Sequence, residues 1–227
     1  MAGTQDVVSA AGAESMSRVG RGSSGRWARR ASPGSPTSPK LARNYPEVIF
    51  SQFTGAEMIA RKWKLSRADL DAYALQSHQR AAAATDSGAF RAEILPLRIM
   101  TEGGADEHDT DEGIRRHATL DSIGAVRTLG DDGVITAANA SQICDGAAAV
   151  MIASEVAVKT HNLTPLARIH ALTVTAGDPV IMLEEPLFAT DRALQRAGMK
   201  MDDIDLYEVN EAFAPVPLAW LKHTGAD

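Results

Sequence analysis

The sequence predicts an α/β protein, and three observations carry that expectation. Short apolar runs of strand character alternate with segments of helical period. Several helical segments carry capping residues at their starts and glycine at their ends. Glycine- and small-residue-rich stretches punctuate the rest.

The elements follow in order. Residues 5–13 (QDVVSAAGA) are small and apolar, which suits a buried strand ending at a glycine turn. Residues 20–39 hold four arginines and no acid among glycine, serine and proline. Such a stretch buries too little apolar surface to offset the entropy of ordering it. It reads either as a disordered basic linker or as an aberrant, out-of-frame stretch. VIFSQF is a short apolar run, and the next segment places Met58, Ile59 and Trp63 on one helical face. Ser66, with Asp69 three residues on, forms a near capping box. Leu70, Tyr73, Ala74, Ser77 and Ala81 keep the helical spacing, and Gly88 is the stop. Residues 93–99 (EILPLRI) read as a strand that Pro96 confines to a sheet edge.

Residues 101–112 are acidic and glycine-rich, an exposed loop without the ligand spacing of an EF-hand. The run 147–153 reads as a buried strand, and residues 166–177 begin a second strand region. Thr190 caps a helix through Ala197 that Gly198 ends. Residues 204–210 (IDLYEVN) read as a strand, with a helix starting directly after Asn210.

Composition narrows the function classes. A net charge of −6 gives no reason to expect nucleic acid or an anionic membrane as partner. Aromatics make up 5% of the chain, too few for a base-stacking surface. No apolar run approaches the roughly 20 residues of a membrane span, and the N-terminus does not read as a secretory signal. The single cysteine, Cys144, excludes an intrachain disulfide and fits a cytoplasmic setting. The six histidines show no metal-ligand spacing. Among them, His78 reads as a surface residue and His170 as a core residue. Arg115, Arg116 and Arg168 are candidates for phosphate contacts, with solvated surface arginines as the plainer reading.

The sharpest feature is YEVNEAFAPV, residues 207–216. A strand followed at once by an asparagine and a helix N-terminus places an amide where α/β folds bind ligands. That amide can serve a developing oxyanion, directly or through a water, or it can simply cap the helix.

Asn210-Glu211-Ala212-Phe213-Ala214 resembles the NEAFA motif of thiolases. The resemblance extends to GTQDVV and GAESMS near the N-terminus and to AEMIARKWKLSRADLDAYALQSHQRAAAA. DEGIR, ATLDS, ITAANASQICDGAAAVMIAS, AGDPVIM and DDIDLYEVNEAFA continue it in the family's order. It covers nearly the whole chain outside residues 20–39.

The resemblance implies a layered αβαβα fold, here incomplete, with an inserted, mostly helical loop domain. Residues 1–19 would end the N-terminal core, 20–40 form the disordered or aberrant segment, and 41–117 the loop domain. Residues 118–160 would complete the N-terminal domain, and 161–227 the first half of the C-terminal domain. It further implies acyl-CoA acyltransfer: cleavage of a 3-ketoacyl-CoA by CoA, or the reverse condensation, in fatty-acid or steroid side-chain degradation.

In thiolases a cysteine thiolate attacks the carbonyl, a histidine activates it, and a second cysteine moves the α-proton. Asn210 matches the asparagine that holds an oxyanion-hole water. The nucleophile segment is expected before Gly3, and the histidine and second cysteine after Asp227. The chain is therefore expected to be inactive alone, as a truncated, frame-disrupted family member. The alternative is a non-catalytic protein that binds CoA or a thiolase subunit. Cys144 reads as a small buried residue rather than a nucleophile. The coenzyme A contacts map onto Ser51, Gln52, Arg168 and Ala171. Acyl-CoA is the expected substrate, with no permanent cofactor and no metal, and the intact family is a homodimer or homotetramer.

Overall fold

The computed structural model describes residues 3–20 and 38–226. The linker or frame-disruption reading of residues 20–40 falls almost entirely on residues 21–37, outside the described residues. Along the described chain run β1 (Val7–Glu14), α1 (Pro39–Asn44), α2 (Gln52–Lys62), α3 (Arg67–Asp86), β2 (Leu97–Thr101) and β3 (Gly104–His108). They are followed by α4 (Leu120–Gly124), β4 (Gly146–Ala153), α5 (Glu155–Thr160), α6 (Glu185–Ala197), a 3₁₀ turn (Met201–Asp203) and α7 (Pro215–Thr224). They form two units, Met1–Ile49 with Ile143–Thr173, and Phe50–Gln142 with Val174–Asp227.

In the first unit, β1 and β4 pair antiparallel over their whole length, from Val7 opposite Ala153 to Glu14 opposite Gly146. Short side chains and β-branched residues suit this close pairing. Ser154 Oγ donates to Asp6 Oδ1 at 2.8 Å at one end of the ribbon. At the other end Ser17 Oγ and its backbone N–H donate to Asp145 at 2.6 and 2.8 Å. The Ser17 hydroxyl, and then its N–H, hold the Asp145 carboxyl below the usual range.

The two strands, expected to be buried, are exposed. Val7 is 43% exposed and Met151 60% exposed, and nearly every residue of the ribbon faces solvent. A two-stranded ribbon has two faces, and alternation alone turns neither of them inward. Cys144 is likewise exposed, not buried, and so is His170.

The second unit carries the hydrophobic core. On α2, Gly55, Ala56, Ile59 and Ala60 recur at i, i+1, i+4 and i+5 and are all buried. Ile59, Leu70, Ile135 and Leu187 are fully enclosed. Phe213, Ala214, Val216, Ala219 and Trp220 join them from α7 and the segment before it. Burying each large aliphatic side chain contributes about 1.5–3 kcal/mol.

The cap at Ser66 is a full capping box: Ser66 Oγ accepts from the Asp69 N–H, and Asp69 Oδ2 accepts from the Ser66 N–H at 2.8 Å. α3 then runs to Asp86, just short of Gly88.

Several expected elements change. Residues 101–112, expected as an exposed loop, instead hold the turn and the second strand of a hairpin: β2 and β3 pair with Leu97 opposite His108 and Thr101 opposite Gly104. The glycine at 104 takes φ +113, which closes the turn. The strand read at 93–99 starts only at Leu97, beyond Pro96.

Residues 166–177 and 204–210 join no ladder among the described residues. A strand exists only where a neighbour takes its backbone hydrogen bonds. α6 begins at Glu185, so Thr190 lies inside it; its Oγ1 donates back to Pro186 O and accepts from Trp220 Nε1, both at 2.8 Å. Gly198 ends that helix at φ +68, as its position suggested.

Candidate functional site

The motif Asn210-Glu211-Ala212-Phe213-Ala214 lies ahead of the helix rather than in it: Ala214, in the right-handed helical region, is the N-cap, and α7 begins only at Pro215. Residues 139–141 explain the delay. Ser141 N–H donates to Ala212 O, and Ala214 N–H donates to Asn139 O, each at 2.9 Å. Ala140 and Phe213 form an antiparallel bridge. The backbone groups a helix would need are already taken, so helix formation waits for Pro215, whose missing N–H suits the first turn.

A buried polar network fixes residues 139–141. Asn139 Oδ1 accepts from Thr136 N–H at 2.8 Å. Its Nδ2 donates to Val134 O at 3.0 Å and to Asp71 Oδ1 at 3.1 Å. Asp71 also accepts from Arg67 Nε at 2.6 Å. The same guanidinium donates through Nη2 to the carbonyls of Ile123, Gly124 and Val126. Glu57, from α2, accepts from the N–H groups of Val134 and Ile135. Its carboxylate lies so close to Gly133 that a Cβ there would collide with it.

Glu211 turns toward α3. Tyr73 Oη donates to one of its oxygens at 2.5 Å, and Ser77 Oγ to the other at 2.9 Å. Burial, and then the bond to Glu211 and its charge, push the Tyr73 hydroxyl far above its ordinary pKa, so it stays a donor. Gln76, Arg80, Ala81, Ala84 and Phe90 continue the same cleft, which encloses about 320 Å³. His78 lies nearby, half-buried, with Nδ1 accepting from the Arg115 N–H at 3.2 Å. Burial, and then the Arg115 charge, lower its pKa below 6.5.

Asn210 itself is exposed, and among the described residues its amide has no hydrogen-bond partner. Ser51 is the N-cap of α2 without a side-chain cap bond, and Gln52 opens that helix. Arg168 and Ala171 are exposed and belong to the other unit. Arg116 pairs with Asp86 at 2.6 Å. Sequence reading placed Tyr73 and Ser77 on a helical face without a role. Their one-turn spacing, which presents two hydroxyls to a single carboxylate, was the available signal.

The profile of the thiolase N-terminal domain matches residues 1–156, and that of the thiolase C-terminal domain matches residues 163–227. The chain belongs to the thiolase family. It is 45% identical over 229 residues to the steroid 3-ketoacyl-CoA thiolase FadA6 of Mycobacterium tuberculosis, across 100% of this chain and 55% of that protein. It is 37% identical over 239 residues to the 3-ketoacyl-CoA thiolase of Bacillus subtilis, across 100% of this chain and 58% of the relative.

The crystal structure of human mitochondrial 3-ketoacyl-CoA thiolase superposes with a TM-score of 0.81 at 38% identity, covering 98% of this chain and 57% of the other. The thiolase-like α/β fold read from the sequence is thereby established. This thiolase-family chain spans about half the length of the curated relatives it matches. Among the described residues, no helix is long and apolar enough to cross a membrane.

Proposed function

We propose that this chain forms part of an acyl-CoA acyltransferase acting on 3-ketoacyl-CoA thioesters, with CoA as the second substrate and the cytoplasm as its setting. The observation that carries the proposal is the seating of residues 210–214. Their backbone is tied to Asn139 and Ser141, Glu211 is bound to α3, and the Asn210 amide is left free. A free, fixed amide is what a thioester oxyanion needs, because stabilisation of its charge must be in place before the charge develops.

In this reading Asn210 holds a water, or the oxyanion itself. Ser51 and Gln52 in the second unit, and Arg168 and Ala171 in the first, are each proposed as CoA-contacting residues of their own unit. The similarity to a steroid thiolase supports steroid side-chain thioesters as a substrate subset.

Carbon–carbon cleavage also needs an activated thiolate. Cys144 is exposed and, among the described residues, has no hydrogen-bond partner that could activate it. The 227 residues are therefore expected to bind CoA without turning over substrate. Calorimetric titration with CoA and an acetoacetyl-CoA thiolysis assay on one preparation test this. Saturable CoA binding that weakens in Arg168→Ala, without thiolysis, is the expected result. No binding at millimolar CoA overturns the assignment, and turnover overturns the expected inactivity.

A further inference from the structure

We propose that Tyr73 and Ser77 are positioning residues for Asn210: their hydroxyls clamp the Glu211 carboxylate and so fix the peptide that carries the Asn210 amide. This deepens the reading of Asn210 given above and rests on it.

The geometry is specific. An ionised carboxylate only accepts hydrogen bonds, so both hydroxyls must donate to it. Each takes a different oxygen, Tyr73 at 2.5 Å and Ser77 at 2.9 Å. Together they determine both the place and the rotation of the Glu211 side chain. Charge-assisted bonds of this kind are among the stronger ones available to a half-exposed group.

The clamp is built on a fixed support. α3 starts in a complete capping box and buries Leu70, Asp71 and Ala74 within its first two turns. Asp71 reaches Asn139, whose carbonyl accepts from Ala214 N–H. The same helix therefore secures the motif twice, at residue 214 through Asn139 and at residue 211 through Tyr73 and Ser77.

On the N-terminal side of Asn210, residues 204–209 pair with no strand among the described residues. Support there is apolar packing of Val209 against the core and the contact of Tyr207 with Trp220. Glu211 is the neighbour of Asn210 that side-chain hydrogen bonds hold. Without the clamp, the peptide that follows Asn210 would lose the bonds that fix its rotation.

The test reads the Asn210 side-chain amide by ¹⁵N–¹H NMR on the full 227-residue chain, with its signal pair assigned through Asn210→Asp. Tyr73→Phe keeps the ring and removes only the hydroxyl; Ser77→Ala is its counterpart. Each is expected to shift the Asn210 pair by more than its linewidth, and the double variant to shift it further than either alone. Glu211→Gln, which keeps one accepting oxygen, falls between. Unmoved backbone signals of Ile59 and Leu187 show that the core is intact.

An Asn210 signal unchanged in Tyr73→Phe and in Ser77→Ala overturns the proposal. Titration with acetyl-CoA, which carries the thioester carbonyl, followed at the Asn210 signal separates the two levels. If that signal responds to the clamp variants but not to saturating acetyl-CoA, the positioning stands and the role given to Asn210 falls.

Discussion

Asn139 and Asp71 meet inside the second unit, with Nδ2 donating to Oδ1 across 3.1 Å and both residues at 5% exposure or less. This contact ties α3 to the segment that seats the NEAFA motif. Asn139→Ala strands the Thr136 N–H, the Val134 carbonyl and one oxygen of Asp71 at once. A loss of roughly 2–4 kcal/mol is expected, measured by urea unfolding. Asn139→Asp sets a second carboxylate against Asp71, so its cost should shrink as the pH falls and one of the two protonates. A pH-independent cost would contradict that account.

Glu184 is buried, and its two oxygens are divided between Lys62 Nζ and Trp63 Nε1, both at 2.8 Å. Lys62→Ala removes one partner and leaves the carboxylate enclosed. The expected loss is about 1–2 kcal/mol by chemical denaturation. Glu184→Gln retains a single accepting oxygen and should cost a similar amount. If Lys62→Ala behaves like an ordinary surface substitution, the pairing is not what holds α2 against the start of α6.

His78 gives a pH dependence whose sign follows from its lowered pKa. A histidine easier to protonate unfolded than folded adds stability above its unfolded pKa of 6.5, and that contribution fades as the pH falls through the lower folded value. The Arg115 guanidinium acts in the same direction as burial, while Asp111 and Glu211 oppose both. Thermal midpoints between about pH 8 and about pH 5 should therefore decline on the acid side of 6.5. His78→Gln should flatten that decline, and a steeper slope in the variant would refute the assignment.

The ribbon of β1 and β4 exposes Val8, Val150 and Met151, and among the described residues no further strand pairs with either of its edges. Such edges template strand addition. Sedimentation is expected to reveal concentration-dependent association that Val150→Lys reduces, with stability changed by about 0.5 kcal/mol or less. Equal association in both proteins would place the contact elsewhere.

Much of the second unit was legible residue by residue. Ser66 and Asp69 announced the start of α3, Gly88 its end, and Ile59 its place in the core of α2, because caps and helical periodicity are local. Strand pairing was less legible. Residues 204–210 and 166–177 carry strand-like composition, but a ladder depends on a second segment distant in sequence. Burial failed on the ribbon for the same reason: Ala147 to Ala153 are apolar, yet apolarity does not say what covers them. The NEAFA motif could be read as residues, but its conformation could not. The helix start moved to Pro215 because Asn139 and Ser141, some seventy residues away, claim its backbone.

The sequence by itself determined the family, the α/β class, the cap at Ser66 and the stop at Gly198, and the identity of Asn210 as the candidate amide, since each is written in local order or in motif succession. Only the tertiary structure decided that Tyr73 and Ser77 hold Glu211 and that Asp71 holds Asn139. Those bonds join residues 68 to 138 positions apart, and nothing in local spacing specifies which distant carboxylate or amide a buried polar group will find.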